Sequence, residues 1–240
     1  MSIKLVTINI EGSKHLDKVI PFLKKENPDV ICLQDIFAVD FLKIKDQSKI
    51  SGSFFAACNK IDKNKYNSQT NGEEGVAYLT NLSHNPIKGF YYVGKGTKPK
   101  FTDPYSKDRV LVFSTVEKEG KKYTIGTTHF YWTPDGHPNK EQWQAFHSLI
   151  NHVKKFDEFI LCGDFNAPRG REIFSEFNKH FIDHLPLKIT STLDPKLHKA
   201  GHLNLVIDTI FSTPHYKVNN IQTIEGISDH KAIIGEINFL

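Results

Sequence analysis

Short β-branched and aromatic runs recur from one end of the chain to the other, and none is long. "IKLVTINI", "DVICLQDI", "SFFAACNKI", "GVAYLT", "IKGFYYVG", "RVLVFSTVEK", "KYTIGTTHF", "EFILCGDF", "LVIDTIFS", "VNNIQTIEG" and "KAIIGEINF" each have the length and residue types of a single strand. "EKEGKK" lies between two of them as a hairpin turn. Helical spacing of apolar residues appears in "HLDKVIPFLKKENP", which stops at Asn27-Pro28 and contains Pro21, and in "KEQWQAFHSLINHVKKF". "REIFSEFNKHF" reads as a shorter helix. The stretches Asp62 to Glu74 and "TKPKFTDPYSKD" read as loops, and Ile182 to His202 as irregular. About ten strands and three helices result, with hairpins in both halves and the longer helices between strands that pair non-locally. The expected class is α/β (α+β): two mainly antiparallel sheets packed face to face, with helices on their outer faces. Neither a linker nor an internal repeat divides the chain, so residues 1–240 are expected to form one domain.

Composition narrows the function classes. A chain of 240 residues with 39% hydrophobic and 24% charged residues is ordinary for a globular protein with one sizeable core. A formal charge of +4 permits an anionic substrate without demanding nucleic acid. The three cysteines, Cys32, Cys58 and Cys162, form no CxxC pair. They are expected as reduced core thiols in a reducing compartment, which argues against a structural zinc site. The N-terminus lacks a long apolar stretch with a cleavage site, and no run approaches the length of a membrane span. The expected location is therefore cytoplasmic, with no membrane partner and nothing to imply an oligomer.

The polar residues that end or interrupt these strands carry the chemical information. Asn9 lies in "VTINIEG", Asp35 ends "ICLQD", and His129 ends "IGTTH". Asp164 and Asn166 end "LCGDFN", Asp208 interrupts "LVIDTIF", and Asp229 and His230 start the last strand in "ISDHKAI". A buried polar group costs free energy unless it is paired, so so many at strand ends point to a shared site. Carboxylate, amide and imidazole without thiolate suit a hard cation and a phosphate, hence Mg²⁺ or Mn²⁺. On alternation alone, Asp164 and Asn166 share one face of their strand. Both they and His230 are expected at a wet strand mouth.

"TINIEG", "DVICLQD", "GTTHF", "GDFNAP", "IDTIF" and "SDHKAI" occur in an order and spacing that resembles the endonuclease/exonuclease/phosphatase superfamily. The resemblance covers nearly the whole chain and implies a four-layer α/β sandwich. It implies that Asn9, Asp35 and Asp229 hold a metal. Asp164 would orient or deprotonate the attacking water, Asn166 would steady phosphate oxygens, and His230 would contact the phosphate. Asp208 would pair with His230 and fix its tautomer, and His129 would face the phosphate from the other side. Arg109 would lie near the substrate phosphate, and Glu74 would support His129. Asp35 departs from the family pattern, which nearly always has Glu after Leu-Gln. A side chain one methylene shorter must approach an ion more closely or act through water, which puts metal affinity in question and favours Mn²⁺.

The implied activity is divalent-metal-dependent phosphoester hydrolysis, most specifically of a phosphodiester in nucleic acid or linked to it. Two alternatives are a phosphomonoesterase and a binding module that kept the fold without the activity. "FYWTPDG", Phe130 to Gly136, reads either as a loop buried on the sandwich or as an aromatic platform at the site mouth. His152, His198 and the other remaining histidines match no motif and read as surface or packing residues.

Overall fold

The computed structural model describes residues 2–61 and 71–240. In chain order the elements are β1 (Ile3–Asn9), α1 (Leu16–Glu26), β2 (Val30–Phe37), α2 (Ala38–Ser48), β3 (Gly52–Lys60), β4 (Gly72–Thr80), β5 (Ser83–His84) and β6 (Lys88–Val93). They continue with β7 (Arg109–Lys118), β8 (Lys121–His129), α3 (Lys140–Val153), β9 (Ile160–Asp164) and α4 (Glu172–Phe177). The last are β10 (Ile182–Asp183), β11 (Asp208–Ser212), β12 (Tyr216–Ile224) and β13 (Ala232–Phe239). One sheet runs β12-β13-β1-β2-β4-β3; the other runs β10-β11-β9-β8-β7-β5, with β6 also on β7.

Alternation along each strand builds the layers. Leu5, Cys32, Tyr78, Val112, Ile125, Cys162 and Ile210 point inward and form the core between the sheets. Their neighbours Val6, Ile8 and Leu33 point outward and meet Val19, Leu23 and Ile44 of α1 and α2. On the other sheet Leu111, Leu161 and Phe211 meet Phe146 and Leu149 of α3 and Phe174 of α4. The result is a four-layer sandwich in which each fully buried aliphatic side chain contributes on the order of 1.5–3 kcal/mol. The cysteines are free and buried. Burial and the neighbouring Cys162 push the Cys32 thiol well above its ordinary range. No helix among the described residues is long and apolar enough to cross a membrane.

Two strand pairs are parallel, β1 with β2 and β8 with β9, because α1 and α3 return the chain to the same edge each time. Asn9 thus pairs in register with Gln34, and His129 with Asp164. β11 runs antiparallel to β9 and starts at that same edge, with Asp208 opposite Asp164. One edge of the sandwich therefore collects polar strand ends from both sheets. Gln34 ties them together, donating to Thr7 Oγ1 at 3.1 Å and to Thr127 Oγ1 of the facing sheet at 2.8 Å.

Some elements differ from the expectation and others match it. α2 is unassigned in the sequence reading because its apolar residues do not form one stripe: Phe41 and Ile44 are buried, but Val39 and Leu42 are exposed. α1 runs through Pro21 and ends at Asn27, whose left-handed backbone (φ 45°) closes the helix. Of the expected loop Asp62 to Glu74, residues 62–70 lie outside the described ones, and Gly72 already begins β4. The irregular stretch from Ile182 holds the two-residue β10. His152 packs its ring against Phe90, with centroids 3.7 Å apart.

Candidate functional site

At the shared edge lies a cavity of about 800 Å³ lined by Asn9, Asp35, Arg109, His129, Asp164, Asn166, Asp229 and His230. Asp208 stands behind His230. Each residue arrives by its own local route. Asn9 is the last residue of β1, and its Oδ1 accepts the Glu11 N–H at 3.0 Å, which turns the chain away from the strand. Asp35 sits in a bulge of β2 against β4, with φ 53°. Unbulged alternation would aim it at the outer helices; the extra residue re-aims it toward the cavity.

Asp164 ends β9 after Gly163, whose φ of 130° no other residue adopts readily. A Cβ at Gly163 would lie 2.2 Å from the Thr128 carbonyl oxygen, so the close approach of β8 and β9 needs glycine here. Asn166 lies beyond the strand with φ 48°, so alternation does not place it beside Asp164. An Asx turn does so instead: the Asn166 N–H donates to Asp164 Oδ1 at 2.8 Å. Asn166 Nδ2 in turn donates to the Phe130 carbonyl at 3.1 Å.

Asp164 is the hub. Its Oδ2 accepts from Asn9 Nδ2 at 3.0 Å and lies 3.5 Å from His129 Nε2 and 3.8 Å from His230 Nε2. It is 1% exposed and His230 is 7% exposed, so both are enclosed rather than at a wet strand mouth. The reason is that polar strand ends of two sheets close over one another.

The two histidines differ in charge. Burial opposes a charge on His230, but the carboxylates of Asp208 and Asp164 outweigh it and hold the imidazolium well above the ordinary histidine range. Its Nδ1 donates to Asp208 Oδ2 at 2.9 Å. His129 is pulled down to about 4 by burial, helped by the positive charges of Arg109 and Lys107 and resisted by Asp164 and Asp35. It is a neutral imidazole at neutral pH.

Arg109 is buried, and its guanidinium is held by backbone: Nη2 donates to the Pro104 carbonyl at 2.8 Å and Nη1 to the His129 carbonyl at 3.4 Å. It also lies 5.6 Å over the Tyr131 ring. Glu74 is paired with Lys60 and Lys107 and does not take the expected place at His129, whose carboxylate neighbours are Asp35 and Asp164.

A charged group missed in the sequence lies beside Asp35. Lys107 Nζ is 3.0 Å from Asp35 Oδ1 and also bonds Glu74, while Lys60 bonds the same Glu74. Both ammonium groups lie over the Phe101 ring, at 5.2 and 4.9 Å from its centroid. The sequence signal was present: Lys60 ends "SFFAACNK" as acids and imidazoles end other strands. Leu203 and Leu205 of the cavity walls, and Lys14, His198 and Lys199, were missed as well. Trp132 places part of "FYWTPDG" on the cavity, whereas Phe130 is buried among the outer aromatics, so the loop does both things expected of it.

Two groups of donors could hold a metal. Asp164, Asp208 and His230 offer ligand atoms within 4.8 Å of one another. That trio already holds a charged imidazole between two carboxylates, so part of its negative charge is offset without an ion. Asn9, Asp35 and Asp229 offer oxygen ligands to the same cavity. Burial raises the Asp229 carboxyl, and the carboxylates of Glu11 and Asp35 add to that rise against the opposing charge of His230. Three oxygen donors facing one cavity suit a hard divalent cation, although Asp35 also has the Lys107 ammonium beside it.

Comparisons with known proteins show what the chain is similar to. The chain is 21% identical over 180 residues to the CCR4-Not complex 3'-5'-exoribonuclease subunit Ccr4 of Candida albicans, covering 63% of this chain and 23% of that protein. It is 25% identical over 175 residues to Nocturnin of Drosophila melanogaster, covering 69% and 25% respectively. The chain thus spans about a quarter of the length of these relatives. The mannosyl-6-phosphatase Bt3783 of Bacteroides thetaiotaomicron shares the fold, with a TM-score of 0.76, 14% identity, and 99% and 100% of the two chains covered. Residues 6–230 match the family model described as the Endonuclease/Exonuclease/phosphatase family, and the chain belongs to that family.

Proposed function

We propose that the chain is a divalent-cation-dependent phosphodiesterase whose substrate is nucleic acid or a phosphodiester linked to it. The observation that supports this most directly is a carboxylate and a charged imidazole on one cavity floor, Asp164 Oδ2 and His230 Nε2, 3.8 Å apart. Hydrolysis of a phosphodiester needs an in-line water, relief of charge on the non-bridging oxygens and help for the leaving alkoxide. Asp164 takes the proton of the water. His230 directs its positive charge at the phosphate, held in one orientation by Asp208. His129, neutral, offers a hydrogen bond from the opposite side, and Asn166 offers its amide. Arg109 acts through His129, whose carbonyl it holds, and adds positive field to the site. A Mg²⁺ or Mn²⁺ ion held by Asn9, Asp35 and Asp229 would supply charge neutralisation at the phosphate.

The walls support a substrate with a flat ring. Trp132 and Pro134 line the cavity, as do Leu203 and Leu205, with Lys14 and Lys199 also contributing to its lining. Base stacking on such surfaces is tolerant of sequence, and the lysines suit a phosphate backbone. The relative Ccr4 is by name an exoribonuclease. A cavity of this size also accepts a small phosphorylated molecule, and a phosphomonoesterase is the second reading.

One panel separates these readings: bis-p-nitrophenyl phosphate, p-nitrophenyl phosphate, single-stranded DNA and RNA, each with Mg²⁺, Mn²⁺ or EDTA. Cleavage of the diester and of a nucleic acid, abolished by EDTA and restored by Mn²⁺ or Mg²⁺, is the expected result. Turnover of the monoester alone would replace the proposal by the second reading. No turnover with either metal would leave a binding module.

A further inference from the structure

Asp35 already has a cation. Lys107 Nζ lies 3.0 Å from Asp35 Oδ1, and the two side chains are mostly enclosed. Lys107 is held in place from three directions: by Asp35, by Glu74, and by the face of Phe101. Lys60 completes the arrangement on the far side of Glu74, so two ammonium groups balance two carboxylates. The geometry points to Lys107 as a built-in counter-ion that competes with the divalent cation for Asp35. This inference rests on the reading of Asp35 as a cation ligand.

The physical argument is like-charge exclusion. An ion that takes Asp35 as a ligand puts two positive charges next to an ammonium that cannot retreat into water easily, being only 8% exposed. Either the pair breaks or the ion binds weakly. The bulge that re-aims Asp35 brings its side chain within reach of Lys107. Lys107 also lines the cavity, so once displaced from Asp35 its ammonium has a phosphate oxygen to turn to. Cation and anion would then each ease the binding of the other, since the lysine that leaves the carboxylate serves the phosphate.

The test is the affinity for Mn²⁺ alone, measured by titration calorimetry on the full chain without substrate. Lys107→Met should bind Mn²⁺ at least ~10-fold more tightly than the wild type, because the competitor is gone and an uncompensated carboxylate remains. Lys107→Arg keeps the charge and should stay near the wild-type affinity. Since Lys107→Met leaves Asp35 and Glu74 sharing one lysine, the double variant Lys107→Met/Glu74→Gln restores the balance and serves if the single variant fails to fold. Metal-free melting curves establish folding for each. Unchanged or weaker Mn²⁺ binding in the folded charge-balanced variant would overturn the inference while leaving Asp35 a ligand, provided Asp35→Ala loses binding. If Asp35→Ala binds Mn²⁺ as the wild type does, the reading of Asp35 falls, and the inference with it.

Discussion

His230 donates from Nδ1 to Asp208 Oδ2 at 2.9 Å, and the acceptor is the first residue of the strand that pairs with the strand carrying Asp164. The imidazole is thereby fixed at one end by β11 and aimed at Asp164 at the other. The charge it carries is worth following with pH. Its folded value is raised, so its contribution to stability is fully present below about 6.5 and is lost as pH rises through the folded value. Asp208→Asn removes the chief support of the charge. We expect the variant to lose roughly 3–5 kcal/mol at pH 6 and less at alkaline pH, read from denaturant unfolding at several pH values. The alkaline limb of its kcat/KM profile should move to lower pH. A profile identical to the wild type would remove His230 charge from the proposed chemistry.

Asp164→Asn tests the base. Loss of a general base costs about 10²–10⁴-fold in rate. Because both Asp164 oxygens accept hydrogen bonds, from Asn166 N–H and Asn9 Nδ2, the new amide must face one of those donors. A stability loss of roughly 1–3 kcal/mol should accompany the loss of rate. Melting and turnover on one purified sample decide the matter. Full turnover with a lowered Tm would make Asp164 a strand-capping residue only.

Gly163→Ala probes the backbone that delivers Asp164. Its Cβ would meet the Thr128 carbonyl at 2.2 Å on a backbone of φ 130°. Relief requires β8 to move from β9 or the backbone at residue 163 to change its φ, and either displaces Asp164 from its place beside His129. A loss of about 3 kcal/mol or more is expected in chemical unfolding, with a fall in kcat greater than the change in KM.

Trp132→Ala addresses the substrate. Stacking of a base on an aromatic ring contributes about 1–3 kcal/mol. The variant should raise KM for an oligonucleotide by roughly 5–150-fold and leave bis-p-nitrophenyl phosphate turnover within about twofold. Equal effects on both would make Trp132 a packing residue of its loop.

Local rules made much of this protein legible before any coordinates. Strand alternation and helical spacing are properties of neighbouring residues, so the two sheets and the helices α1, α3 and α4 could be read directly. Polar groups at the ends of apolar strands were legible for the same reason, and Asn9, Asp35, His129, Asp164, Asn166, Asp229 and His230 do line one cavity. What alternation could not supply was the aim of Asp35 and Asn166, which left-handed backbone and an Asx turn decide. Nor could it supply the partners of Asp35. Lys107 is 72 residues away and Glu74 comes from a third segment, so their charges meet only because β2, β3 and β4 pair and the loop before β7 folds over that edge. The residue types in the site are written locally along the strands. Their electrostatic balance, which sets a neutral His129 against a charged His230 and Lys107 against Asp35 and Glu74, arises from non-local packing, because charge interactions depend on distance in space and on burial.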